Sequence, residues 1–174
     1  MFSRFGRTSG PAAAAQRLYE AIVARAREPV FHTDFGVEDT LDGRFDLLTL
    51  HAFLVLDGLK SLGPAGRGLG TELANIIFSG LDDALRELGV SDSGMGRRIK
   101  ALANAFYGRL EAYGAASAEA DLAAALLRNV YRGDERRRRE SESLAHYISG
   151  ARLSMQRQPD LLEGRADFGP LPFL

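Results

Sequence analysis

The 174-residue chain contains no cysteine and no tryptophan. Without cysteine there is no disulfide, no thiolate metal site and no cysteine nucleophile. Lysine is scarce: Lys60 and Lys100 stand alone among 22 basic residues, and the rest are arginine. Together with abundant alanine, that bias fits a GC-rich genome, while each arginine keeps its charge in any environment. Positive charge is not in excess, because 23 acids leave a formal net charge of −1. This balance argues against a general nucleic-acid or DNA binder. No apolar run approaches the ~18–20 residues that span a bilayer. Sustained alternation with β-branched residues is also missing, so no sheet is expected.

What is present is helical periodicity over one domain's length. The expected fold is all-α: a single-domain bundle of about six helices around a central apolar helix, with an irregular C-terminal tail. Residues 1–10 read as a flexible basic arm, since Arg4, Arg7 and Arg17 precede the first acid, Glu20. A mitochondrial presequence has a similar charge pattern, but serine is sparse here. The helical domain is expected over 11–157. Pro11 opens its first helix, and Pro29 stops it. Val30 to Asp39 reads as an extended loop.

The second helix starts at Asp39 or Thr40. Leu41, Phe45, Leu48, Ala52, Val55, Leu59 and Leu62 form one stripe, and Leu47, Leu50 and Leu54 a second. A helix apolar on most sides belongs at the centre of the fold. Four more helices are expected: from near Gly68 to Leu88, through Met95 to Tyr113, from Ser117 through Val130, and through Leu144 to Met155. Residues 158–174 hold three of the six prolines and form the tail. Its apolar end is expected to pack on its own domain.

Chemical motifs are few. Gly63 to Thr71 carries glycines like a phosphate-binding loop, but Leu69 stands where lysine must reach the phosphates. Asp39, Asp42 and Asp46 share a helical face near the helix start, where the macrodipole favours acids. His32, His51 and His146 show no paired ligand spacing. His51 interrupts the most apolar helix and reads equally as a core histidine or as a polar contact in a partner-facing groove. No serine-nucleophile elbow or metalloprotease helix occurs, so no catalytic residue, metal or cofactor is assigned. Arg136, Arg137, Arg138 and Arg139 form the one strong charge run, flanked by Glu135, Glu140 and Glu142. It reads as a solvated helix start or as a surface contact with an anionic membrane or with RNA phosphate.

The stretch Phe31-His32-Thr33-Asp34-Phe35-Gly36-Val37-Glu38-Asp39-Thr40-Leu41-Asp42-Gly43-Arg44-Phe45, followed by Leu50-His51-Ala52-Phe53-Leu54, resembles the core of the ubiquinol–cytochrome c chaperone family. The resemblance continues through Phe106, Leu110 and Ala112-Tyr113 and ends in Asp121 to Tyr131, preserving order over about residues 15–133. Phe53 and Leu127 depart from the family, standing where it often carries tryptophan. The resemblance implies a non-enzymatic assembly factor for the cytochrome bc1 complex. It would bind newly made cytochrome b or nascent bc1 subunits from the cytoplasmic side of a bacterial inner membrane, or in mitochondria if eukaryotic. Such a client needs a temporary apolar groove with a polar rim. The expected lining is Phe35, Asp39, Arg44, Phe45, His51 and Phe53, with Phe106, Arg128 and Asn129 nearby. This reading requires the central helix to be left partly uncovered. A helical domain that binds a lipid or quinone in its core is the alternative; it needs an internal cavity of ~300 Å³ or more. An enzyme using Asp39, Asp42 and His51 is a third reading, and needs those side chains to converge.

Overall fold

The computed structural model describes residues 10–171, Asp92 through its backbone only. Residues 1–9 of the basic arm expected over 1–10, and the last three residues, lie outside the described residues. The described chain is all-helical. Helix α1, Pro11–Ala26, opens on its proline and buries Ala14, Ala15, Leu18, Ile22 and Ala26, nearly one residue per turn. A single turn, α2, Val30–Thr33, follows where an extended loop was expected. The Pro29 carbonyl accepts from the backbone of His32 and Thr33, and the ring of Phe31 anchors the turn in the core. This turn makes seven α-helices among the described residues where six were expected.

Helix α3, Leu41–Ser61, is capped by Thr40, whose hydroxyl accepts from the Gly43 amide at 3.1 Å. Gly43 is required there: a Cβ would lie 2.0 Å from the Glu38 carbonyl oxygen. Helix α4, Gly63–Glu87, begins five residues earlier than expected, because Pro64 suits a first helical turn. Helices α5, Asp92–Ala115, and α6, Glu119–Asn129, pack against each other. Asp121 anchors the start of α6 by accepting from the Ser117 hydroxyl and from the backbone of Ser117 and Ala118. Helix α7, Arg138–Met155, is preceded by a 3-10 turn, Glu135–Arg137, and followed by another, Pro159–Glu163.

Helix α3 is the hub, touching α1, α4, α5, α7 and the Pro159–Glu163 turn. Leu47, Leu50, Leu54, Val55 and Leu59 are fully buried. Each such side chain contributes about 1.5–3 kcal/mol before conformational entropy is set against it. Gly58 lets the C-terminal elements close on this helix, since a Cβ would meet Met155 Cγ at 2.8 Å and Leu161 Cδ1 at 2.9 Å. The middle of α3 is covered by the chain's own elements, while at its start Leu41 is exposed and Phe45 half-buried, so the uncovered stretch that was expected is confined to the first turns of the helix.

The tail packs on its own domain through residue 171. Leu161 and Phe168 are buried. Gln158 and Asp167 exchange two hydrogen bonds, at 2.7 and 2.8 Å, which close the loop between them. Arg25 of α1 donates to the carbonyls of Gly169 and Pro170.

Candidate functional site

An open groove of about 570 Å³ lies where the start of α3, the length of α5 and the end of α6 meet. Asp42 and Phe45 line it from α3, and Arg128, Asn129 and the following Arg132 from the α6 end. Helix α5 supplies Arg97, Arg98, Ala101, Leu102, Ala105 and Arg109. From Arg98 to Arg109 these positions step by three and four, so α5 presents one small-residue stripe with arginine at both ends.

Behind the groove lies Asp46, fully buried. Arg109 Nη2 stands 2.8 Å from its Oδ1, and Arg132 Nη2 stands 2.8 Å from its Oδ2. Burial raises the Asp46 carboxyl above the ordinary aspartate value, and the charges of Arg109 and Arg132 oppose that shift. One acid thus serves as the shared counter-ion of two arginines. The Arg109 guanidinium also lies over the Phe45 ring, 5.4 Å from its centroid. Arg132 has φ +56, the one positive value among the described non-glycine residues. A left-handed arginine costs about 1–2 kcal/mol. Its side chain donates to the Asn129 carbonyl at the helix end and reaches back to Asp46. Asn129 in turn donates to the Ala125 carbonyl at 2.9 Å. Arg97, Arg98 and Arg128 are exposed and form no ion pair among the described residues.

Of the residues expected to meet a partner, Phe45, Arg128 and Asn129 come together here. Asp39 and Arg44 form a surface pair at 2.7 Å, and the Arg44 hydrogen bond holds the Asp39 carboxyl below its ordinary value. Phe35, His51, Phe53 and Phe106 sit in the interior, where a partner docking on this surface does not reach them. The His51 Nδ1–H donates to the Leu47 carbonyl at 2.8 Å, and Nε2 accepts from the Tyr147 hydroxyl at 3.3 Å. Burial pushes the His51 pKa down to about 4. Asp39 and Asp42 lie on the surface while His51 is enclosed, so the converging site that the enzyme reading requires does not form.

Three members of the arginine run are matched locally: Arg136 by Asp134 at 2.8 Å, Arg137 by Glu140 at 2.9 Å, and Arg138 by Glu135. Sequence reading missed Arg97, Arg98, Arg109 and Arg132. The α5 spacing was available as a signal, but nothing local shows which face of α5 meets α3 and α6. Among the described residues no helix is long and apolar enough to cross a membrane.

Fold and groove together define an all-helical protein with an open, arginine-lined groove on its surface. Residues 33–168 match the Ubiquinol-cytochrome C chaperone family, and the chain belongs to that family. The matched region includes every groove residue. The crystal structure of the Cbp3 homolog from Brucella abortus superposes with a TM-score of 0.82 at 39% identity, covering 91% of this chain and 90% of that one. The chain is also similar to ubiquinol–cytochrome c reductase complex assembly factor 1 of Xenopus laevis, 26% identical over 137 residues, and of Mus musculus, 25% identical over 163 residues. Those alignments cover 78% and 91% of this chain, and 68% and 55% of the frog and mouse proteins.

Proposed function

We propose that this protein is an assembly chaperone of the cytochrome bc1 complex and that its client is newly made cytochrome b. The observation that carries this reading is the family match over 33–168, together with a shared fold at 39% identity. An open, arginine-lined groove supports this reading. The client contact narrows to the open groove around Phe45, Arg128 and Asn129, with the Asp39–Arg44 pair beside it on the surface. No catalytic step is assigned. A membrane client implies work at a membrane surface, with Arg139, which forms no ion pair among the described residues, as a candidate contact. The lipid or quinone reading draws no support from this groove, which is open and lined by arginine.

Deletion of the gene tests the reading. The expected result is a strong loss of assembled bc1 complex, and affinity capture of the full chain from native membranes recovers cytochrome b. Normal bc1 content in the deletion strain overturns the proposal. Flotation with membranes at low and high salt tests peripheral attachment, which weakens with screening if arginine drives it.

A further inference from the structure

We propose that the arginine groove receives an acidic, amphipathic segment of the protein client, its carboxylates held by Arg97, Arg98 and Arg128 and its apolar side laid on Phe45 and Leu102. This rests on the client reading above and names the chemistry that the site selects.

Charge is the first argument. Asp46 engages Arg109 and Arg132, and the other groove acid, Asp42, lies 4.0 Å from Arg132. Arg97, Arg98 and Arg128 therefore share one concavity and form no ion pair among the described residues. Like charges grouped in this way repel, and an incoming carboxylate relieves that repulsion while gaining charge-assisted hydrogen bonds. The surface elsewhere shows the contrast. The four-arginine run before α7 has three of its members matched by neighbouring acids, so clustered arginine is not left open throughout the fold.

Shape is the second argument. The groove lining is in part apolar, with half-buried Phe45 and Leu102 among its residues. A purely ionic ligand leaves that part wet, whereas an amphipathic segment covers it. Arg109 is recessed, with 15% of its side chain exposed, and is fixed from behind by Asp46. An amphipathic peptide segment uses both the arginines and the apolar lining, whereas a phosphate headgroup uses the arginines alone.

The test uses the full chain and the variant carrying Arg97→Gln, Arg98→Gln and Arg128→Gln. All three residues are exposed and unpaired, so the variant keeps the wild-type melting temperature. The probe is a fluorescein-labelled helical peptide with glutamates four residues apart beside leucines, compared with its glutamine counterpart. Fluorescence anisotropy is expected to show the glutamate peptide binding at least about tenfold more tightly to the wild type. The variant loses that preference. Equal affinity for the two peptides, or unchanged preference in the variant, overturns the proposal. Flotation on phosphatidylglycerol vesicles that depends on these arginines, with no peptide preference, assigns the groove to lipid and also overturns it. Capture of cytochrome b separates this inference from the function it rests on. Failure by the wild type removes the chaperone reading while the peptide assay still judges the groove. Equal capture by wild type and variant removes the groove proposal alone.

Discussion

His51 accepts a hydrogen bond from Tyr147 at 3.3 Å in the sealed interior of the bundle, and Tyr147 in turn accepts from Arg25 Nε at 2.9 Å. The imidazole is neutral in this chain, since its Nδ1–H is spent on the Leu47 carbonyl and its Nε2 needs a lone pair for Tyr147. Phe168 of the tail packs edge-on against the same ring, 5.6 Å between centroids. A polar interruption of the greasiest helix thus joins α1, α3, α7 and the tail.

Acid should weaken the fold through this histidine. Its pKa is about 4 folded, against 6.5 as the ordinary value. Between these values the unfolded chain binds a proton that the folded chain does not. The stability contribution is fully present above about pH 6.5 and falls as pH drops towards 4, by up to about 3 kcal/mol. Urea unfolding at pH 7, 6 and 5 measures it. His51→Leu is expected to flatten the slope over this range.

Asp46→Asn removes the shared counter-ion of Arg109 and Arg132. Breaking a buried pair costs about 3–5 kcal/mol. Arg132 is half exposed and can turn to water, so the expected loss is nearer about 2–3 kcal/mol. Chemical denaturation at pH 7 checks the value. A variant as stable as the wild type would show that the pair contributes nothing.

At Arg132 the backbone and the side chain pull in opposite directions. Both Arg132→Ala and Arg132→Gly lose the contact with Asp46. Glycine tolerates φ +56 and alanine does not, so the glycine variant should be more stable than the alanine variant by about 1 kcal/mol. Paired thermal melts measure the difference, and equal melting temperatures contradict the strain argument.

Phe168→Ala should detach the tail. The ring is buried against His51 and lies 5.9 Å under the Arg25 guanidinium. Loss of a buried phenylalanine costs about 3–5 kcal/mol, with the lower end expected at the edge of a core. Amide exchange in the 159–171 segment should accelerate more than in α3. Uniform acceleration would mean that the tail is an integral part of the bundle.

The helices were readable because each rests on near neighbours. Pro11 opens α1, Thr40 caps α3, and the apolar steps of three and four along α3 identify its burial. The α2 turn escaped notice because four residues hold too little periodicity, and the buried Phe31 ring decides it. Phe35, Phe53 and Phe106 show a harder limit. An aromatic at a regular spacing belongs to an apolar face, but spacing does not say whether that face meets a client or the chain itself.

The groove illustrates the same division. Chemistry and pitch along one segment specified which residues share a face: Arg98, Leu102, Ala105 and Arg109 on α5, or Leu47, Leu50 and Leu54 on α3. Those relations are set by 3.6 residues per turn and need no distant partner. Assembly alone brought Arg97 and Arg98 towards Arg128, placed Asp46 between Arg109 and Arg132, and closed the bundle around His51. Those encounters join residues far apart in the chain, and their positions follow from the packing of the whole core, in which no single segment holds the deciding energy.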